Sequence, residues 1–141
     1  MFSSYNYLLM SDILDRYLEE ASDDASLDVF TVKDVQSKLP GIKHKWVGRL
    51  IRAKRKLANL YEQKEDIKNE LLHKAKEQAP YKVSDASIEK SLKKTKTIKD
   101  IDREIREYKL IVDFLERTEK VFSSMTFDIK NLTEVMKLET M

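Results

Sequence analysis

From Leu50 onward the apolar side chains Leu50, Ala53, Leu57, Leu60, Ile67 and Leu71 recur at alternating steps of three and four, with Lys64 and Lys74 at the remaining positions. That is heptad spacing, which places one narrow stripe on a helix and demands a partner helix against it. A second run, Ile98, Ile101, Ile105, Tyr108, Val112, Leu115 and Phe122, repeats the pattern and is broken only at Glu119. Leu110, Ile111, Phe114 and Val121 lie beside that second seam, so this helix has more apolar surface than one partner covers. Phe127, Ile129, Leu132 and Met136 continue it toward the C-terminus. Stripes of this kind are core or interface rather than a cofactor site. The expected fold is all-α: a long antiparallel helical hairpin preceded by short N-terminal helices.

The punctuation agrees with that expectation. The chain has 141 residues with only two Gly and two Pro, and 37% of its residues are charged. Long helices with narrow seams are what such a composition builds. Thr31 with Asp34 has the spacing of a capping pair, predicting a short helix that ends at "KLPG". A long helix then runs to "APY" at residues 79 to 81, where Pro80 restrains Ala79. After the connector "YKVSDASIEKSLKKTK", Thr97 and Asp100 repeat the capping pattern. Near the start, Ser11 is placed to cap a short amphipathic helix after Met10. Met10 reads either as the functional start, with residues 1–9 an upstream extension, or as part of a genuine N-terminus. The segments are thus 1–9, an acidic arm over 10–40, a basic helix and lysine-rich connector over 41–96, and oligomerisation helices over 97–141.

A lone hairpin would leave the extra apolar surface of its second helix in water, so copies are expected to associate through the C-terminal half. The residues expected at that interface are Ile105, Tyr108, Ile111, Val112, Phe114, Leu115, Phe122, Phe127, Ile129, Leu132 and Met136.

Charge is distributed in blocks. Eight acids fall between Asp12 and Asp34 against Arg16 and Lys33, and the sign reverses at Lys43 although the net charge is only +2. On a helix, Lys45, Arg49, Arg52 and Lys56 fall within about 60° of one another and span roughly 16 Å, enough to follow several phosphates. Lys43, Lys54 and Arg55 flank this stripe. Trp46 heads the adjacent apolar stripe, which favours a core position over stacking on a base. A second cluster, Lys90, Lys93, Lys94, Lys96 and Lys99, sits in and after the connector, with Tyr81 upstream as a candidate stacking platform. The acidic arm is a candidate for contacting a partner protein or for competing with nucleic acid.

Enzyme chemistry finds no support. Two glycines make no phosphate loop, His44 and His73 have no partners at metal-ligand spacing, and no nucleophile comes with a base. No metal or cofactor is expected. With no Cys, no signal sequence and no apolar run long enough for a membrane span, a cytoplasmic protein without membrane partners is expected.

Over residues 10–139 the chain resembles the UvsY family, the recombination mediators of T-even-type phages. The resemblance lies in "KLPGIKHKW" entering a basic helix, "SIEK" in the connector, "DREIREYKLIVDFLE", and above all "FSSMTFDIKNLTEVMKLE". Lys45 and Trp46 match a Lys-Trp pair of the family; where the family has a basic Lys-Ala-Arg string, this chain reads Asn69-Glu70-Leu71. The resemblance implies a non-catalytic protein of the infected host cell that binds single-stranded DNA. It further implies partners: a strand-exchange recombinase, loaded in place of the single-strand-binding protein, and six or seven copies of the chain itself in a ring. The competing reading of the residues is a helical adaptor that acts through protein contacts alone.

Overall fold

In a computed structural model, residues 4–78 and 83–141 are described, residues 4–11 by their backbone only. The elements are four helices in the order α1 (Ser4–Asp24), α2 (Val32–Gln78), α3 (Asp85–Leu92) and α4 (Lys96–Glu139), with no strand among the described residues. Ala79–Tyr81, where a helix break and a stacking platform were expected, lie outside the described residues.

Helix boundaries differ from the local signals in four places. Helix α1 passes through Met10 and Ser11, so Ser11 lies inside a helix and not at its start. Thr31 does precede α2, but its hydroxyl turns back and accepts the Asp28 N–H at 3.1 Å, while the Asp28 carboxylate accepts the N–H groups of Phe30 and Thr31 at 2.8 and 3.0 Å. Asp28, not Thr31, therefore organises the turn. At "KLPG" no helix ends: α2 continues through Pro40. Proline gives up the bond to the carbonyl four residues back, that of Gln36, but Gln36 and Pro40 both face outward. Leu39 and Trp46, one heptad apart on the buried side, anchor the helix on both sides of the breaker, and it runs on unbroken. Finally, α4 starts after Thr95, whose carbonyl accepts the Lys99 N–H at 3.0 Å, so Thr97 is already helical.

The connector is itself partly helical. Ser84 caps α3 by accepting the Ser87 N–H at 3.3 Å, and Ile88 and Leu92 are buried.

Two compact units make up the chain. In the unit built on Lys54–Leu110, Leu57 and Leu60 of α2 pack on Ile101, Ile105 and Tyr108 of α4. Three ion pairs tie α2 to its neighbours there: Lys64 to Asp102 at 2.7 Å, Lys68 to Glu89 at 3.5 Å and Lys76 to Asp85 at 2.7 Å. The rising numbers on one helix meet falling numbers on the other, so α2 and α4 run antiparallel.

The second unit comprises Asp12–Ala53 and Ile111–Met141 and centres on Trp46. The indole is fully buried, stacked on Phe122 at 5.9 Å and meeting Tyr17 and Phe114 edge-on at 5.7 and 6.3 Å. Here too α2 and α4 are antiparallel, with Lys43 reaching Thr126.

The buried positions of α4 are Ile98, Ile101, Ile105, Ile111, Leu115, Thr118, Phe122, Met125 and Ile129, with Tyr108 half-buried. Two successive steps of three, Tyr108 to Ile111 following Ile105 to Tyr108, shift the heptad register. The seam expected at Val112 and Glu119 therefore moves back one residue, to Ile111 and Thr118. Thr118 fits because its hydroxyl donates to the Phe114 carbonyl at 2.8 Å.

Candidate nucleic-acid interface

The cationic stripe of α2 divides into two parts with different chemistry. Its upper half is engaged inside the chain. Arg49 donates through both terminal nitrogens to Glu20, at 2.7 and 3.2 Å, and its guanidinium lies 4.7 Å from the ring centres of both Tyr17 and Trp46. Lys45 donates to Glu20 at 2.9 Å and to Asp24 at 2.6 Å, and Asp24 also accepts the Trp46 indole N–H at 2.9 Å. Hydrogen bonds from Arg49 and then Lys45 hold the Glu20 carboxyl at about 2, well below its ordinary 4.5. For Lys45, partial burial pulls its pKa down, but the bonds to Asp24 and Glu20 outweigh that and raise it. The acidic arm is thus the counter-ion of Lys45 and Arg49, on the far side of which Trp46 is closed in the core. Trp46 offers no face to a base.

The lower half of the stripe differs. Arg52 is exposed and folds its guanidinium back over Gly48, close enough that a Cβ there would sit 3.7 Å away. Lys54 and Arg55 are also exposed, and Lys56 is half-buried near Glu104, whose carboxyl is raised by burial against the opposing pull of Lys56. Lys43 donates to the Thr126 hydroxyl at 2.9 Å.

In the second cluster Lys90, Lys93, Lys94 and Lys96 are all exposed. The structure extends this cluster along α4. Lys96, Lys99, Arg103 and Arg106 stand at steps of three, four and three, all exposed. They occupy an arc of about 80°, and the row rises about 15 Å. No acidic residue falls within the arc. Asp85, Glu89 and Asp102 of the same segment meet lysines of α2, while Asp100 and Glu107 flank the arc. Arg103 and Arg106 lie beyond the lysine run that marks the cluster in the sequence, yet their spacing from Lys96 and Lys99 is readable there.

The residues expected to join copies are placed unevenly. Ile105, Ile111, Leu115, Phe122 and Ile129 are buried in the chain's own core, and Phe114 packs on Trp46. Tyr108, Val112, Leu132 and Met136 are half-buried, while Phe127 is 69% exposed. Among the described residues no group of three or more His, Asp and Glu side chains converges as a metal site, and no helix is long and apolar enough to cross a membrane.

Solved structures with this fold come from a bacteriophage recombination system. Crystal structures of the bacteriophage T4 recombination mediator protein UvsY superpose with TM-scores of 0.77 in one lattice and 0.71 in another. Identities are 17% and 15%; the matches cover 89% and 90% of this chain and 98% and 97% of the phage chains. Curated proteins give no match to the sequence. The family model described as recombination, repair and ssDNA binding protein UvsY matches residues 20–140, which takes in the acidic clasp, both cationic clusters and all of the α4 seam. The chain belongs to the UvsY family.

Proposed function

We propose that this protein is a non-catalytic recombination mediator that binds single-stranded DNA and helps seat a strand-exchange recombinase in place of the single-strand-binding protein. It works as a homo-oligomer, whose repeated weak cationic surfaces add avidity along one strand. The observation that carries the DNA-binding part is the exposed line of Lys96, Lys99, Arg103 and Arg106 along one face of α4 in the Lys54–Leu110 unit, while Asp85, Glu89 and Asp102 pair with lysines of α2. Lys96, Lys99, Arg103 and Arg106 form the main phosphate track, joined by Lys90, Lys93 and Lys94. Arg52, Lys54, Arg55 and Lys56 form a second track on α2, flanked by Lys43. Lys45 and Arg49 serve the fold first, because a phosphate would have to displace Glu20 and Asp24 to reach them.

The test is the salt dependence of oligonucleotide binding. Each phosphate contact on a single strand contributes a slope of about −0.7 in log K against log salt. The triple substitution Lys99→Glu, Arg103→Glu and Arg106→Glu is expected to flatten the slope by about 2 per subunit. It should leave the helical content unchanged and slow recombinase loading on protein-coated single strands. An unchanged slope rejects the α4 track, and no binding by the wild-type chain at low salt favours an adaptor acting through protein contacts alone.

A further inference from the structure

The unit formed by Asp12–Ala53 and Ile111–Met141 carries a lysine-walled apolar groove and an exposed aromatic knob in an acidic stretch. The groove, of about 640 Å³, lies between α2 and α4, with Leu39, Pro40 and Ile129 as its apolar part and Lys43, Lys130 and Lys137 among its walls. Glu134 is the one acidic residue lining it. The hydrogen bond from Lys43 to Thr126 links the two walls at 2.9 Å. Pro40 shapes the groove chemically as well, since it has no N–H to offer the Gln36 carbonyl and Gln36 also lines the cleft.

The knob is the turn between α1 and α2. Asp28 accepts two backbone N–H groups, and Thr31 accepts that of Asp28, so the turn is fixed by its own hydrogen bonds. It presents Val29 at 43% and Phe30 at 94% exposure. A phenyl ring held outward on a stiff turn does nothing for its own chain's core. It is pre-organised for a concave apolar site, because ordering it on binding costs little. The turn lies within the acidic arm, with Asp23 and Asp28 close by in the chain.

We infer that Phe30 of one copy seats in the α2–α4 groove of the next, with the Asp28 side of the turn against the lysine walls. One chain supplies both an acidic aromatic knob and a basic apolar socket, which is the charge complementarity a second copy needs. Knob and socket are different patches, so the contact is head-to-tail and each copy keeps a free end for another. Repetition then builds a ring or a filament. The inference does not depend on DNA binding.

Sedimentation velocity of the full chain between about 1 and 100 μM reads the contact directly. Phe30→Ala, a change at an exposed position, is expected to weaken association by about tenfold to a hundredfold, the scale of losing a central aromatic anchor. Thr133→Trp, which fills the groove, should do the same, and Lys130→Glu at the rim should weaken association most at low salt. Mixing Phe30→Ala with Thr133→Trp leaves one intact knob and one intact socket, so the mixture should form dimers and nothing larger. Unaltered assemblies in Phe30→Ala and Lys130→Glu overturn the inference, as does a wild-type chain that stays monomeric throughout. Binding of an oligonucleotide short enough for one subunit is measured alongside. Its loss with assembly intact counts against the DNA reading alone, and the reverse outcome against this contact alone.

Discussion

Replacing Glu20 by Gln removes the charge that Lys45 and Arg49 share, and the size of the effect follows from the clasp. Glu20 titrates at about 2 in the folded chain against an ordinary 4.5. A shift of that size corresponds to at most about 3 kcal/mol of preference for the charged form. The Glu20 side chain is 38% exposed, so solvent screening reduces this to about 1–2 kcal/mol. The groups facing it are Lys45, Arg49 and the Asp24 carboxylate, with Tyr17 stacked on the guanidinium. Because the folded pKa is depressed, the stabilisation is complete above about 4.5 and disappears as pH falls toward about 2. Urea denaturation at fixed protein concentration should therefore show Glu20→Gln less stable than wild type by about 1–2 kcal/mol at pH 7. The two curves should converge as the pH approaches 2.5. A gap of the same size at both pH values would refute the electrostatic reasoning and assign the loss to packing. No gap at pH 7 would show that Lys45 and Arg49 find equal partners in water.

Two further perturbations separate packing from local propensity. Trp46→Ala should cost about 3–5 kcal/mol by opening a cavity among Tyr17, Phe114 and Phe122, and in the wild type tryptophan fluorescence should stay unquenched when single-stranded DNA is added, because the ring is closed off from solvent. Gly41→Ala should stabilise the chain by about 0.5–1 kcal/mol in thermal melts, since the residue is helical and an added methyl meets nothing within 4 Å.

The two long helices were legible in the sequence because a narrow apolar stripe has few ways to be buried, and heptad spacing names its partner's geometry. Their ends were less legible, for a physical reason. A cap or a breaker is a local preference of about 1–3 kcal/mol, and burial of Leu39 and Trp46 on one face of α2 exceeds it at Pro40. Beyond Tyr108 the α4 seam keeps Leu115 and Phe122 where the heptads put them but takes Ile111 in place of Val112, since the two are equally apolar and only packing chooses between them. Thr118 in place of Glu119 follows from that choice. The cationic clusters were visible as composition. Which of their members face water was not, because Glu20 and Asp24 are 29 and 21 residues from the groups they bind, and nothing in the sequence fixes that approach.

Why the clasp stops where it does can be argued from the sequence of α1. Glu20 and Asp24 are four apart on α1, as Lys45 and Arg49 are on α2, and the pairs cross in antiparallel order: Asp24 with Lys45, Glu20 with Lys45 and Arg49. The same register carried one turn further brings up the residue four positions before Glu20, which is Arg16. A cation at that position cannot neutralise Arg52 on α2. The basic stripe of α2 is uniform in charge, so nothing within α2 distinguishes Arg49 from Arg52. The distinction is imposed by α1, which at that turn carries Arg16 in place of an acid. An acidic arm with Glu at position 16 would extend the zipper and withdraw a third cation from solvent. With Arg16 in place, the arm ties down the half of the stripe that borders Trp46 and leaves the rest to whatever anion arrives.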